Sequence, residues 1–218
     1  MFYLCGIPQK LYRELNQSGK VKRYFDVRYV GKCIDLIEQY YQSTTEPNPK
    51  GWEAFYAETK GWDGMRHASE EICKLFPDAD PQDIKRYVFH RVIGQTWNGL
   101  NRELILVETL AFAFPQLNVA RASFEIDHEY CIDVEARKGE QVLLGIQLKP
   151  ESYQRMSAPS QMQSKQAHYI KNELYAQHYA PYLYVYYNGT SGDLLNMEQV
   201  TDHIKSLLNN ANTQTQRR

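Results

Sequence analysis

The sequence predicts a mixed α/β fold, of the α+β type, in which helices flank a small mixed sheet and the N-terminal portion is mostly helical. Residues 1–97 space their Leu, Ile and Tyr side chains as helices do. From residue 98 the pattern changes, because three short segments alternate apolar and polar residues with a period of two. The predicted order is then helix, three strands, helix, strand, helix. We therefore divide the chain into portions 1–97 and 98–208, with one compact domain as the alternative.

The helical portion contains several segments with recognisable boundaries. KLYREL, KCIDLIEQYYQ and ASEEICKLF have helical spacing, whereas the Pro, Asn and Gly of segment 43–52 predict a loop. Asp80 followed by Pro81 is typical of a helix start, so a further helix begins there. The apolar stretch NGLNRELILVETLAFAF forms the next helix, which Pro115 ends.

The three strand segments each place polar side chains on one face. RASFEID alternates from Ala122 to Ile126, and YCIDVEA directs Asp133 to its polar face. LLGIQLK directs Gln147 and Lys149 together to one face, although the rest of that strand is apolar. ARKGEQ contains a glycine and charges, so we expect it to join the last two segments as a hairpin turn.

A polar loop, a helix, a strand and a last helix complete the predicted order. The helix SKQAHYIKNELYAQHY ends before Pro181, and YLYVYY is rich in residues that favour strands. MEQVTDHIKSLLNN is the last helix. Residues 209–218 are polar, and we predict that they form a disordered tail.

The composition argues against several classes of protein. Of the 218 residues, 43% are hydrophobic and 23% are charged, as in ordinary globular proteins. We find no run long enough to span a membrane and no signal-peptide pattern, so we expect a soluble, cytoplasmic protein. The four cysteines include no CxxC pair, which argues against a zinc site or a disulfide framework.

Positive charge is concentrated in residues 10–32, although the net charge of the chain is −1. This stretch holds seven Lys or Arg residues against two acids, with aromatic residues interleaved. Such a composition suits phosphate contacts and base stacking, and a solvated helical surface is the alternative. The nucleic-acid contacts predicted in this stretch are Lys20, Lys22, Arg23 and Arg28.

The predicted hairpin would bring Asp133 close to Gln147 and Lys149. A carboxylate, an amide oxygen and an ammonium group suit a site for Mg²⁺, which prefers oxygen ligands and often takes only one or two from protein. Lys149 would orient a water molecule or offset phosphate charge. Burying a polar group without a partner costs roughly 2–7 kcal/mol. The three residues are therefore either a functional cluster or the solvated face of a strand.

Asp133, thirteen intervening residues and then Gln147-Leu148-Lys149, in a helix-β-β-β-helix-β order, resemble the PD-(D/E)XK nuclease superfamily. The resemblance covers about residues 98–190. It implies a restriction-endonuclease-like core in which Asp133 and Gln147 hold the metal and Lys149 positions the attacking water. The chain departs from the pattern twice, because no proline precedes Asp133 and Gln147 stands where an acid is usual.

An amide oxygen lacks the charge of a carboxylate, so a further acid should compensate for Gln147. GLNRE offers Glu103 in a G-x-x-x-E pattern that resembles those nucleases, as a metal ligand or catalytic residue, and Glu108 is the neighbouring option. Glu135 shares the face of Asp133 and would support the site or merely meet solvent. We assign Asp127 an ordinary role in the turn between strands.

The run GIQLKPESY, with IDVEA upstream, is similar to the MjaI-type restriction endonucleases. This resemblance implies a type II restriction enzyme that hydrolyses double-stranded DNA at a short palindromic site, such as CTAG, with Mg²⁺ or with Mn²⁺ as a substitute. It implies a homodimer, with contacts from the helical portion, and a cognate DNA methyltransferase in the host. The alternatives are a repair or structure-selective nuclease with the same core, and a catalytically inactive DNA-binding protein.

In such a core the loop 151–166 would face DNA, because it directly follows the catalytic strand. Its polar residues are of the types that bond to base edges and phosphates, and a methionine there can wedge into a base step. A surface loop with no partner is the alternative. The DNA contacts predicted in this loop are Ser152, Tyr153, Gln154, Arg155, Met156 and Gln161.

Overall fold

The computed structural model divides the chain into two compact units, residues 1–101 and 102–218. The division falls inside a long helix, near the boundary predicted at residue 98. The backbone is described for residues 5–157, 159–189 and 191–215, and the side chains of 159–161 and 211–215 are not described.

The N-terminal unit consists of helices in its described part. Asp80 caps the helix that starts at Pro81 by accepting the Gln82 backbone N–H at 2.8 Å, as the Asp-Pro pair predicts. The loop predicted at 43–52 is shorter than expected, because Asn48 caps a helix that starts at Pro49. The helices are α1 (Gln9–Gln17), α2 (Gly19–Lys22), α3 (Val27–Val30), α4 (Cys33–Ser43), α5 (Pro49–Thr59), α6 (Asp63–Leu75) and α7 (Pro81–Phe89).

The second unit carries the sheet. A π-helical turn, His90–Gly94, leads from α7 into the helix that crosses the division. The helices that follow are α8 (Gln95–Ala113), α9 (Phe124–Tyr130), α10 (Pro159–His178) and α11 (Met197–Thr215). The strands are β1 (Asn118–Arg121), β2 (Val134–Lys138), β3 (Gln141–Pro150) and β4 (Tyr182–Tyr187). This arrangement confirms the predicted mixed α/β class with a mostly helical N-terminal portion.

The four strands form one mixed sheet in the order β1-β2-β3-β4. The first three strands are antiparallel neighbours, and β4 lies parallel to β3. Val134 pairs with Ile146 and Glu135 with Gly145, which fixes the register of the β2–β3 hairpin. Gly139 takes a φ of +60° at the turn, a conformation that glycine adopts readily.

Strand β3 is buried on both faces. Ile146 joins Leu106 of α8 and Ile204 of α11 in the main hydrophobic core of this unit. On the other face α10 covers the strand, with the ring of Tyr175 directly over Gly145. The face that carries the polar side chains is therefore an interior face and not a solvated one.

The segment RASFEID is not a strand, and the prediction was wrong there. β1 ends at Arg121, and α9 begins at Phe124. The Ser123 side chain caps α9 by accepting the Ile126 backbone N–H at 3.3 Å, and acids occupy the first turn. A helix of seven residues is too short for its period to be separated from strand alternation.

Two helix boundaries in the second unit also differ from the prediction. The helix expected from Ser164 starts at Pro159, which is a favourable first residue of a helix. Helix α11 continues to Thr215, so the described part of the predicted disordered tail has helical backbone. Within the described chain, no helix combines the length and apolarity needed to cross a membrane.

Candidate active site

Asp133 immediately precedes β2 and lies beside the second half of β3. Its backbone N–H donates to the Ile146 carbonyl at 2.9 Å, and its carboxylate oxygen Oδ2 accepts the Leu148 backbone N–H at 2.6 Å. Gln147 and Lys149 alternate with Leu148 along β3, so their side chains leave the strand on the opposite face. The structure thus brings Asp133 to the segment that carries Gln147 and Lys149, as the hairpin predicts.

The side chain of Gln147 has an unsatisfied hydrogen-bond acceptor. The residue is 1% exposed, and its Oε1 atom has no hydrogen-bond partner. Leaving a buried acceptor unsatisfied costs about 1–3 kcal/mol, so the lack of a partner for this oxygen calls for an explanation. A hard divalent cation binds such amide oxygens together with carboxylates. The orphaned oxygen near Asp133 therefore fits a metal ligand.

Glu103 of α8 also belongs to this site. Its Oε2 accepts a hydrogen bond from Nε of Arg121 at 2.7 Å, and both side chains are mostly buried. Burial raises the pKa of the Glu103 carboxyl to about 8; Arg121 opposes the shift, and the negative charge of Asp133 adds to it. Glu108, the neighbouring option, is exposed on the same helix. The structure therefore favours Glu103 over Glu108.

The carboxylate of Asp133 sits deep among protein atoms although its side chain keeps some exposed surface. Burial, together with the charge of Asp127, raises the pKa of Asp133 to about 7. The Leu148 N–H and the positive charge of Lys149 act in the opposite direction. The carboxyl groups of Asp133 and Glu103, both with raised pKa values, are therefore neighbours in this site. A bound cation would stabilise their ionised forms.

Lys149 is half-buried beside these acids. Burial lowers the pKa of its ammonium group, while the charges of Asp133 and Asp127 oppose that shift. Its Nζ atom lies 5.6 Å from the centre of the Tyr153 ring. A lysine with a lowered pKa exchanges protons near neutral pH more readily than an exposed lysine does.

Asp127 was not predicted as a site residue, because its segment was predicted to form a turn between strands. On α9 its charge acts on Asp133, Glu103 and Lys149. Ser123 followed by acids at the second and fourth positions is typical of a helix start, and this signal would have located it. Arg121, the partner of Glu103, was missed too, because no local pattern marks an ion pair across 18 positions.

The end of α9 is fixed to α10 by three hydrogen bonds. The Lys171 Nζ atom donates to the His128 carbonyl at 2.6 Å. Asn172, which is fully buried, donates to the carbonyls of Tyr130 and Cys131 at 2.9 and 3.3 Å. Cys131 has a φ of +57° and turns the chain from α9 towards β2. Asp127 and Asp133 flank this turn, so α10 holds both acids in place.

The contacts of Glu135 are with residues that pack and hold the fold. Glu135 is 4% exposed, it accepts the Tyr175 hydroxyl at 2.6 Å, and it forms an ion pair with Arg137 at 2.6 Å. Tyr175 packs over Gly145, where any larger residue would meet its ring. These contacts connect Glu135 to the packing of α10 on the sheet and account for its burial without a catalytic role.

The residues predicted to contact DNA after β3 lie in different environments. Tyr153 is 4% exposed, and its ring packs against His168 and Tyr184, so its side chain is not available to bases. Arg155 is exposed and pairs with Glu151. The exposed members are Ser152, Gln154 and Arg155, Met156 is partly exposed, and the side chain of Gln161 lies outside the described residues.

The basic cluster of the N-terminal unit is exposed, as nucleic-acid contacts require. Arg28 pairs with Asp26 at 2.9 Å, and Arg23 donates to the Tyr24 hydroxyl at 2.5 Å. Tyr24 itself is buried, so it packs in the core of this unit rather than on a base. The exposed basic residues are Lys20, Lys22, Arg23 and Arg28.

The chemistry of the site is that of a carboxylate pair, an amide oxygen and a lysine. Among the described residues, no three His, Cys, Asp or Glu side chains are arranged to hold a metal by themselves. Asp127 contributes its negative charge to the site. The available protein ligands are Asp133, Gln147 and Glu103, a small set of oxygens that suits Mg²⁺, which keeps several water or phosphate ligands.

Comparison with known proteins gave one family. The family model described as MjaI restriction endonuclease matches residues 15–199 of the chain. No curated protein matched the chain, and no solved structure did. The matched range includes the site residues of the second unit and the basic cluster of the first.

Proposed function

Because the chain belongs to the MjaI restriction endonuclease family, we propose that it is a type II restriction enzyme that uses Mg²⁺ to hydrolyse double-stranded DNA at a short palindromic site. The family identifies a DNA endonuclease. The observation that carries the metal-dependent part is the unsatisfied Oε1 of Gln147, buried next to Asp133 and Lys149. Nothing in the protein part of the site satisfies this oxygen, and a divalent cation would.

Asp133, Gln147 and Glu103 would hold the cation. Mg²⁺ bound there, or Mn²⁺ in its place, would act as a Lewis acid on the scissile phosphate and lower the pKa of a bound water. The Leu148 N–H fixes the orientation of the Asp133 carboxylate relative to β3. Nε of Arg121 donates to Glu103 and favours the ionised form of that carboxyl. The Leu148 N–H and Arg121 thus orient the charges of the site before any substrate binds.

Lys149 would position the attacking water. Its Nζ atom lies beside the Tyr153 ring, and its lowered pKa suits it to exchange a proton with that water. As an ammonium group it offsets charge on the phosphate. Water attacks phosphorus, the P–O3′ or P–O5′ ester bond breaks, and the leaving oxygen takes up a proton, so no covalent enzyme intermediate is required.

Cutting both strands of a palindrome is achieved most simply by two copies of the site related by a two-fold axis. We therefore propose a homodimer. The host would require a DNA methyltransferase that protects the same sequence, since unprotected chromosomal DNA would be cut. The exposed basic residues of the N-terminal unit, such as Lys22 and Arg23, and the exposed polar residues after β3, such as Gln154, supply candidate contacts to phosphates and bases.

Digestion of unmethylated DNA of known sequence tests this function. The purified protein with Mg²⁺ should give discrete fragments, and sequencing of their ends should return one short palindrome. The Asp133→Asn variant should give none, while the exposed-acid control Asp202→Asn should cut as the wild type does. A smear of fragments would favour a repair or nonspecific nuclease. Intact DNA from several sources, with no binding of Mg²⁺ or Mn²⁺, would favour an inactive DNA-binding protein.

A further inference from the structure

The exposed residues of helix α10 whose side chains are described carry no formal charge, while Lys165, Lys171 and Glu173 of the same helix are partly exposed. The large apolar residues on it are exposed by 47% (Met162), 54% (Tyr169), 52% (Ile170) and 41% (Leu174). Spacings of eight and four residues align Met162, Ile170 and Leu174 along one side of the helix. None of the exposed residues of α10 whose side chains are described is Asp, Glu, Lys or Arg: Met162, Gln163, Ser164, Gln166, Ala167, Tyr169, Ile170, Leu174, Ala176, Gln177 and His178.

This face differs from the other exposed helix surfaces of the unit. The exposed side of α11 carries Glu198, Asp202 and Lys205, as an ordinary solvated helix does. Contiguous exposed apolar residues on a globular protein mark interaction sites. Depletion of charge together with exposed Met and Tyr is the composition of the buried centre of a protein interface. The outer face of α10 has the character of an interface and not of a solvated surface.

The absence of charge also selects the partner. A DNA-binding face neutralises phosphates with Lys and Arg, and the exposed positions of α10 offer neither. The partly exposed Lys165 and Lys171 lie against the Tyr153 ring and the His128 carbonyl. In a two-fold contact between identical chains, the same patch meets itself, so any charge near the axis would face its own copy. A neutral, apolar face is free of that repulsion. A second copy of this chain is therefore the occupant that the composition fits.

We propose that two copies of the chain associate through the outer faces of their α10 helices, packed against each other about a two-fold axis. The proposal deepens the proposed function, since it names the surface that pairs the two sites. It assigns dimer contacts to the second unit, whereas the sequence predicted them in residues 1–97.

The same helix connects this interface to the site. The inner side of α10 places Tyr175 over Gly145, and Asn172 and Lys171 hold the end of α9. Each copy would thus fix its own Asp133 and Asp127 relative to the dimer axis. A helix of 20 residues spans about 30 Å, so the contact area that one face of it offers is small for a permanent dimer. We expect a reversible dimer that DNA with two half-sites strengthens.

Charge substitutions on this face test the proposal. Ile170→Lys with Leu174→Lys places like charges across the axis and should raise the dimer dissociation constant at least about 100-fold, as measured by sedimentation equilibrium. Both side chains are exposed, so the monomer should keep its thermal unfolding midpoint. The control Phe112→Lys, at an exposed apolar position of α8, should leave the dimer unchanged. On a supercoiled plasmid, the double variant should accumulate nicked circles where the wild type makes linear DNA.

A mixing experiment distinguishes this contact from any other use of the face. The matched variant Ile170→Glu with Leu174→Glu should also be monomeric alone, and an equimolar mixture of the Lys and Glu variants should restore a dimer. A wild type that stays monomeric at all concentrations and on DNA, or a Lys variant that dimerises normally, would overturn the proposal. Association is measured independently of DNA cleavage. A dimer that lacks nuclease activity would therefore refute the proposed function and leave the proposed interface standing.

Discussion

The carboxylate of Asp133 accepts the backbone N–H of Leu148 at 2.6 Å, so the acid of one strand is held against the neighbouring strand between Gln147 and Lys149. This hydrogen bond uses one oxygen of the carboxylate and sets its orientation. It also links the position of Asp133 to the register of the β2–β3 hairpin, because Val134 pairs with Ile146. Gln147 and Lys149 lie on β3 and Asp133 immediately precedes β2, so the site is anchored on the sheet.

Gln147→Leu should stabilise the fold while it weakens metal binding. Leucine has a similar size and removes an unsatisfied buried acceptor, so the free energy of unfolding of the metal-free protein should rise by about 1–3 kcal/mol. The affinity for Mn²⁺ should fall about 10-fold or more, because a ligand oxygen is lost. Denaturant unfolding in EDTA and calorimetric titration with Mn²⁺ measure the two effects. The exposed control Gln199→Leu should change neither, and a destabilised Gln147→Leu would show that Oε1 has a partner within the protein.

Gly145→Ala should destabilise the second unit. A methyl group at this position would meet the ring of Tyr175, and the helix α10 would have to move away from β3. Such overpacking costs about 1–3 kcal/mol. Gly99→Ala is the matched control, because its new methyl group meets open space in α8 and should stabilise the helix by up to about 1 kcal/mol. Equal effects of the two substitutions on the unfolding midpoint would contradict this packing.

Glu135 should prove structural rather than catalytic. Tyr175→Phe removes the hydroxyl that donates to Glu135 and should lower the free energy of unfolding by about 1–3 kcal/mol. Under conditions where the variant is fully folded, its affinity for Mn²⁺ and its single-turnover cleavage rate should stay within about threefold of wild type. A loss of metal affinity as large as that of Gln147→Leu would place Glu135 in the metal site instead.

Metal affinity should rise steeply with pH. The pKa values of Asp133 and Glu103 are raised to about 7 and about 8, so protons compete with the cation below those values. Between pH 6 and 8 the dissociation constant for Mn²⁺ should fall by up to about tenfold per pH unit for each proton displaced. Glu103→Gln should flatten the dependence. A dissociation constant that is independent of pH in this window would show that both acids are already ionised.

The same raised pKa values predict how the stability of the metal-free protein depends on pH. Below the ordinary values of 3.8 and 4.5 both carboxyls are protonated in both states, and they contribute nothing to the pH dependence. As the pH rises towards about 8, the unfolded chain loses these protons first, so this pair lowers the stability of the fold. The difference in unfolding free energy between Glu103→Gln and wild type should therefore grow in favour of the variant from pH 5 to 8.

Part of this site was predictable from the sequence because it depends on local patterns. The alternation of IDVEA and LLGIQLK, with the turn between them, was enough to bring Asp133 to Gln147 and Lys149. Short elements with ambiguous periods were not predictable, and α9 was read as a strand for that reason. Because of this error, Asp127 was not predicted as a site residue.

Features that depend on tertiary contacts could not be obtained from the sequence. The pair of Arg121 with Glu103 joins β1 to α8, and no periodic pattern reports it. The burial of Tyr153 arises because α10 and β4 place His168 and Tyr184 against its ring. Its position after the catalytic strand suggested a DNA contact, and only the packing of two distant elements argues against that role.

The central claim is that Asp133, Gln147 and Lys149 form a Mg²⁺-dependent hydrolytic centre, and single-turnover cleavage of a DNA duplex containing the site tests it most directly. The wild type should cut with Mg²⁺ and not in EDTA, and Lys149→Met should be slower by about 100-fold or more while binding the duplex normally. The control Lys165→Met, a lysine on α10 that also approaches the Tyr153 ring, should keep wild-type activity. Unchanged cleavage by Lys149→Met, or full activity in EDTA, would contradict the claim.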